Sequence, residues 1–418
     1  MTVAIMPPSV LFQPLVLPNR AITPNRLAKA AMEENMADAR HAPSPTLIRL
    51  YRTWAEGGAG LLITGNVMID RRAMTGPAGV VLEQGTDLAP FRRWAEAARA
   101  GGNQAWMQIN HPGRQMRASL GQETVAPSAV ALDLGSYSKL FAVPRAMTEA
   151  DIADVTRRFA QTAALAEQAG FTGVQVHAAH GYLLSQFLSP LTNRRNDRWG
   201  GPLENRARLL LDVVRAVRAA VSPGFCVAVK LNSADFQRGG FAPEEARQVV
   251  AWLNDLAVDL VELSGGSYEA PAMQGEARDG RTLAREAYFL EFAADIARVA
   301  RMPLMVTGGI RRMEVAARVV DSGVAMAGMA TALALAPGLP RAWSRGQDAT
   351  AVLPPIRWER KTLAAMGVMA VVKAQLRRLG QGLPAKPEVS PAFALLADQL
   401  RLGWRSRQYR NRMQRHEA

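Results

Sequence analysis

His177, His180 and Tyr182 lie within one six-residue stretch, directly after the β-type run Gly173-Val174-Gln175-Val176. Two imidazoles three positions apart at a strand end can turn toward one small acceptor. Donating to a single oxygen, they would polarise a carbonyl and stabilise the enolate formed on its reduction. Tyr182 carries a phenol of high pKa in water, suited to giving a proton to a carbon or an enolate. Taken singly, each is as well explained as a satisfied polar residue or a half-buried tyrosine at a loop start. The grouping favours chemistry, because three of the five histidines (His111, His177 and His180) stand at the ends of two successive apolar runs. Paired histidines also serve zinc, but no nearby Cys or Glu completes a ligand set, so no metal site is expected.

Other strand ends carry groups that suit a cofactor. Lys230 ends an apolar run as a cation directed at the barrel mouth, facing an electron-rich ring edge or an oxyanion; a snorkelling surface lysine is the plainer alternative. Gln108 ends another run and can hydrogen-bond a ring edge. Thr307-Gly308-Gly309 and Gly328-Met329-Ala330-Thr331 follow the seventh and eighth runs, where glycines let backbone N–H groups approach an anion.

The elements that must position these groups form a rhythm. Apolar runs at 26–31, 60–64, 105–109, 173–176, 226–231, 260–264, 304–307 and 324–327 alternate with helical patterns at 44–56, 87–100, 148–169, 203–221, 243–256, 285–301 and 313–322. Eight such units predict a (β/α)8 TIM barrel with its chemistry at the C-terminal ends of the strands. An open doubly wound sheet would be expected to show a Gly-x-Gly-x-x-Gly turn after its first strand, and none occurs. Residues 9–20 predict an N-terminal β-hairpin, 112–147 a long excursion after strand three, and 357–379 with 391–408 a C-terminal helical extension. The expected division is an oxidoreductase barrel over 1–348 and a basic extension over 349–418, packed on the barrel or on a neighbouring subunit.

Composition narrows the class. With 418 residues, 49% of them hydrophobic, the chain can bury a large core. No eighteen-residue apolar run and no signal-like N-terminus appear, so an integral membrane segment is not expected and a cytoplasmic location is. The single cysteine, Cys226, excludes an internal disulfide and a cysteine-ligated cluster. Of the net charge of +14, residues 350–418 supply +9, from 13 Lys/Arg against 4 Asp/Glu. A solvated basic surface explains this most simply, an acidic partner or membrane next; nucleic acid is not expected, as no recognition motif accompanies the charge.

The stretch HAAHGYLLSQFLSPLTNRRNDRWGGPLENR (177–206) closely resembles the signature of the Old Yellow Enzyme family of FMN-dependent ene-reductases. PNRLAKAAM (24–32), QINHPGRQ (108–115) and VTGGI (306–310) support the resemblance, which spans roughly residues 9–345. It implies non-covalent FMN at the barrel mouth, reduced by NADH or NADPH and reoxidised by an electron-poor alkene in ping-pong fashion. In that scheme His177 and His180 hold the carbonyl or nitro oxygen, flavin N5 passes hydride to the β-carbon, and Tyr182 protonates the α-carbon. The resemblance further implies flavin contacts at Ala30, Ala31, Met32, Gly65 and Gln108, a cation near N1 and O2 at Lys230, and phosphate contacts at Gly308, Gly309, Gly328 and Met329.

Three positions depart from the family pattern. Glu33 stands where many relatives carry Thr or Cys, which would disfavour a reduced, anionic flavin unless the carboxylate is turned away or protonated. Asn35 replaces a substrate-pocket Tyr, implying a more polar or open pocket, and Thr331 replaces a phosphate-contacting Arg. Neither the one cysteine nor the segment 349–418 fits the dienoyl-CoA reductase branch, with its cluster and added nucleotide domain. A reductase of nitro compounds or quinones remains the nearest alternative. An FMN-binding protein whose tail docks a partner or an anionic membrane is the alternative from another class. Homo-oligomerisation is left open.

Overall fold

Along the barrel strands, alternate residues belong to two separate cores. Trp106, Cys226, Ala228, Leu260, Met305 and Met326 meet inside a ring of strands. Their neighbours Met107, Val227, Val229, Val261, Leu304 and Ala327 belong to a second cluster between strands and helices. This two-residue period is what a closed barrel requires, with side chains filling its inside and helices covering its outside.

The computed structural model describes residues 9–271, 287 and 289–417. The hairpin expected over 9–20 lies later in the chain, as β1 (Leu15–Val16) and β2 (Ile22–Thr23), because Val10–Phe12 form a 3-10 turn instead of a strand. The barrel strands are β3 (Leu27–Lys29), β4 (Leu61–Ile63), β7 (Gln104–Asn110), β10 (Gly173–Ala178), β11 (Cys226–Asn232), β12 (Leu260–Ser264), β13 (Leu304–Thr307) and β14 (Met326–Met329). Each pairs in parallel with the next, and β14 closes on β3, giving the (β/α)8 barrel expected from the sequence. Short strands β5 (Val67–Met68) and β6 (Val80–Val81) extend the sheet at β7, and β8 (Val125–Ala126) pairs with β9 (Arg145–Ala146) inside the long excursion.

The covering helices are α1 (Pro45–Ala55), α2 (Ala89–Ala98), α3 (Glu149–Gln168), α5 (Leu203–Ala220), α6 (Pro243–Leu253), α7 (Leu290–Ala297) and α8 (Met313–Asp321). Short α4 (Leu183–Leu188) precedes α5, and α9 (Thr331–Leu335) and α10 (Leu339–Ser344) follow the last strand. Local chemistry sets the starts: the Ser44 hydroxyl accepts from the Leu47 N–H ahead of Pro45, and Thr148 and Asp151 form a reciprocal capping box. The hairpin closes the barrel floor, with Leu15 and Leu17 in the inner core and the Asn19 N–H donating to Asp259 at 3.1 Å.

The structure moves some boundaries. The eighth run, expected at 324–327 with Gly328 outside, is β14 at Met326–Met329, because Gly328 pairs with Thr307 and Ala28 within the sheet. Helix α4 occupies ground read as loop: its six residues are all buried, so they show no amphipathic period. The helix expected over 285–301 is seen as α7; its expected start at Arg285 lies outside the described residues.

After the barrel come α11 (Lys361–Gly380) and α12 (Pro391–Glu417), the latter longer than the expected 391–408. Val372, Leu376 and Leu379 of α11 join the outer core, and Arg49 of α1 donates to the Gly380 carbonyl at 3.4 Å. Farther along, α12 returns to the top of the barrel, where Tyr409 and Met413 pack with Met68, Met74, Val81, Met116 and Leu120. The Tyr409 hydroxyl also donates to the Arg71 carbonyl at 2.7 Å. Both α11 and α12 thus pack on their own barrel.

Candidate active site

Above the apolar floor the inward positions turn polar. Gln108 donates its amide to Gln175 at 2.8 Å, Gln175 donates to Glu262 at 2.7 Å, and Thr307 donates to Glu262 at 2.7 Å. Lys230 completes the layer with an ion pair to Glu262 at 2.8 Å, both side chains almost wholly buried. Strand register explains the meeting: Gln108 pairs with Gln175, and Lys230 with Glu262. The sequence directs Lys230 at the mouth as a cation; the structure adds a buried carboxylate partner, so the layer carries a compensated charge.

One register step above Gln175, His177 faces Lys230 across β10 and β11. The His177 ring stands edge-on to those of His180 and Tyr182, with centroids 5.1 Å and 4.8 Å away. Burial, reinforced by Lys230, holds both imidazoles well below their usual pKa, so both are neutral at pH 7. Nδ1 of His177 accepts from the Ala179 N–H at 3.3 Å, which puts the ring proton on Nε2 as a free donor. Nε2 of His180 meets the Ser264 hydroxyl at 2.7 Å, and its backbone N–H donates to Asn232 at 3.0 Å.

The turn that presents these rings is tightly specified. His180 (φ 60°) and Gly181 (φ 72°) are consecutive left-handed residues. A Cβ on Gly181 would come within 2.9 Å of the Ser267 side chain and 3.0 Å of Gln115, so glycine is required twice over. Beyond the turn, the Tyr182 hydroxyl lies 3.1 Å from that of Tyr268. Burial raises the Tyr182 pKa well above 10, with Tyr268 and Glu33 adding to the rise; burial and Glu33 push Tyr268 up to about 12. Both phenols therefore keep their protons at any physiological pH.

The ring of His111, grouped with the other two from sequence, has different partners, although its carbonyl accepts from the Leu183 N–H at 3.0 Å. Its Nδ1 accepts from the Gly113 N–H at 3.1 Å. Burial lowers its pKa to about 4, and the charges around it are Asp70, Arg158 and Arg72 rather than Lys230. The charge-rich half of the 177–206 stretch is scaffold: Asn193 donates to the Phe187 and Trp199 carbonyls at 2.8 Å each, and Trp199 donates to Glu149 at 2.9 Å.

The remaining expected positions ring the same mouth. Ala30, Ala31 and Met32 continue β3, with the Ala30 N–H donating to the Met329 carbonyl at 2.9 Å. Gly328 and Met329 lie in β14, while Gly308 (φ 145°) and Gly309 (φ 70°) form a turn after β13 that only glycine adopts without strain. Thr331 opens the short α9. Glu33 accepts from the Thr75 hydroxyl at 2.5 Å and lines an outer cleft with Asn35 and Tyr268. Asn35 is itself left-handed (φ 53°), and its buried Oδ1 has no partner.

Sequence reasoning missed a second buried network behind the mouth. Lys29, fully buried, donates to the Ile63 carbonyl at 2.8 Å, pairs with Glu34 at 3.3 Å and lies 4.4 Å from the Trp54 ring. Tyr51 donates to the same carboxylate and accepts from the Gly65 N–H at 3.0 Å. Burial lowers the Lys29 pKa to about 8, against the opposing pull of Glu34. A lysine inside an apolar run was the available signal. Tyr268 was missed as well, and its cue was the Gly265-Gly266 pair that follows the sixth run.

Chain comparison decides what this mouth belongs to. Residues 10–347 match the model of the NADH:flavin oxidoreductase / NADH oxidase family. The chain belongs to that family. The NADH-dependent flavin oxidoreductase nadA of Aspergillus parasiticus is 41% identical over 318 residues, covering 73% of this chain and 72% of nadA. The NADH-dependent flavin oxidoreductase iliE of Neonectria sp. is 39% identical over 79% of this chain, which spans only 46% of that relative's length. Among solved structures, the old yellow enzyme homologue from Zymomonas mobilis superposes with a TM-score of 0.70 at 27% identity, covering 82% of this chain and 95% of that one. Membership makes the chain an oxidoreductase with FMN as cofactor and NAD(P)H as donor. The site's donors fit a flavin: the Gln108 amide, Lys230 and two neutral imidazoles converge on the mouth, and the Gly308–Gly309 turn offers a strain-free approach for a phosphate.

Proposed function

We propose that the chain passes hydride from NAD(P)H to the activated C=C bond of α,β-unsaturated carbonyl or nitro compounds, with donor and acceptor using one face of the site in turn. Bound FMN supplies reversible storage of the hydride between the two. The observation that carries the reading is the His177–His180–Tyr182 cluster, two neutral imidazoles beside a phenol that stays protonated.

Ala30, Ala31, Met32, Gly65, Gln108 and Lys230 would hold the flavin ring, and Gly308, Gly309, Gly328 and Met329 its phosphate, with backbone N–H groups standing in for the arginine absent at Thr331. The Nε2–H of His177 and the ring of His180 hold the acceptor oxygen and draw electron density from the double bond. A neutral imidazole donor suits this role, because it polarises without surrendering its proton. Tyr182 supplies a proton to the α-carbon, and Tyr268, 3.1 Å away, orients that hydroxyl and can restore its proton. Residues 1–348 form the catalytic unit in this reading, with 349–418 as an extension roofing its mouth.

The test is optical. The purified protein should be yellow, bleach anaerobically with NADH or NADPH, and recover its colour on addition of cyclohexenone. A protein that stays colourless after reconstitution with FMN would refute the reading. Recovery with a quinone or a nitroester but never with cyclohexenone would move the assignment to those acceptors.

A further inference from the structure

Tyr268 has a second side. Its ring closes the reaction mouth next to Tyr182, and it also lines a cleft whose floor is Glu33 and Asn35 and whose roof is α11 and α12. That roof is cationic: Lys373 and Arg377 come from α11, Arg401 and Arg405 from α12, and Arg117 from the excursion wall. Two carboxylates answer these five cations. Asp398 is taken up by Lys373 at 3.8 Å and Arg377 at 3.3 Å, and Glu33 lies on the floor, held by Thr75. Among the described residues no carboxylate lies within ion-pair distance of Arg401, Arg405 or Arg117.

We infer that this cleft binds an anionic group, a carboxylate or phosphate, on a molecule whose reacting end lies against Tyr182, and that the electron acceptor carries it. The inference rests on the proposed function, because Tyr268 is what joins the cleft to the reaction mouth. Glu33 stands close to Tyr182 and Tyr268, whereas Arg401 and Arg405 line the cleft from α12. An acceptor with a neutral enone and a distant anion would therefore enter in one direction, repelled by Glu33 and held by the arginines. Guanidinium groups suit this role, since each offers a planar pair of N–H donors to a carboxylate or phosphate. Burial, with Arg401 adding to it, holds both Arg377 and Arg405 below the usual arginine pKa, against the opposing pull of Asp398 on the first and Asp38 on the second. The basic surplus of the C-terminal segment thereby acquires a local purpose at the site.

The donor phosphate of NADPH offers the same chemistry, so the experiment has two arms on the full-length holoenzyme. In the first, kcat/KM is compared for cyclohexenone and for a cyclohexenone bearing a tethered carboxylate, in wild type and in R401E/R405E. The ratio of carboxylated to neutral acceptor should fall about tenfold or more in the variant, and in wild type it should fall as salt is raised. In the second, anaerobic reduction by NADPH and by NADH is compared in the same proteins. A fall confined to the NADPH:NADH ratio would overturn the acceptor as the carrier and make the donor phosphate the occupant. Unchanged ratios in both arms, with the yellow colour and cyclohexenone turnover intact, would overturn the inference while leaving the proposed reaction standing. Absence of colour and of turnover with every acceptor in the wild type would instead tell against the flavin reading.

Discussion

Tyr182 and the two histidines beside it are all uncharged across the usual range of pH, and that has a kinetic consequence. Their imidazole pKa values are lowered by burial and the phenol is raised, so none of the three changes charge between about pH 6 and 9. The rate of acceptor reduction should therefore be flat over that interval, measured as reoxidation by cyclohexenone at saturating donor. A limb with an apparent pKa near 6.5 would show that a histidine titrates and would contradict the neutral-donor role. Tyr268→Phe should slow the same half-reaction, by less than loss of Tyr182 itself, because the phenol keeps its proton but loses its orienting partner. This cluster was the most legible part of the chain. Three reactive side chains in six residues are visible without any fold, whereas Tyr268 arrives from eighty-six positions away and needs the barrel closed to be seen.

At the scale of elements, strand register builds the polar layer beneath the mouth. Lys230 and Glu262 are partners on adjacent strands, both desolvated, so removing one strands the other. Glu262→Gln should destabilise the protein by about 3–5 kcal/mol, and Lys230→Met with Glu262→Gln together by clearly less, as read from urea unfolding. The β10–α4 turn makes a different demand. Gly181→Ala meets both a left-handed φ and a 2.9 Å contact, so a loss of about 1–2 kcal/mol is expected together with slowed acceptor reduction. Strand positions were legible because parallel strands buried on both faces read as plain apolar runs. The shift of β14 was not, since a glycine inside a strand looks in sequence like its end. Nor was α4, whose complete burial erases the helical period.

For the whole molecule, the question is how the C-terminal helices are held over the barrel. Tyr409 is the main anchor: it fills an apolar pocket, donates to Arg71 and meets His41 edge-on at 5.6 Å. Tyr409→Ala should cost about 3–5 kcal/mol and weaken the roof over the outer cleft, measured by thermal unfolding and proteolysis of 391–417. Acid should do so more gradually. Burial lowers His41 and His111 to about 4 in the folded state, below the ordinary 6.5 they regain on unfolding. Between those values the unfolded chain binds the protons and the folded chain does not, so stability must fall as pH drops from 6.5 toward 4. Urea midpoints across that window should decline, and His111→Gln should flatten the slope. The eight-unit barrel was readable from alternating runs and helices. The placing of the tail was not, because α12 mixes buried and exposed apolar residues and its partners lie hundreds of positions earlier.

The central claim is that Tyr182 delivers the proton in acceptor reduction and does nothing for the donor. Rapid mixing of the Tyr182→Phe holoenzyme separates the two halves. Bleaching by NADH or NADPH should proceed within about twofold of wild type, while reoxidation by cyclohexenone should slow by about 100-fold, within the range ascribed to a positioned general acid. Equal slowing of both halves, or reoxidation as fast as wild type, would contradict it.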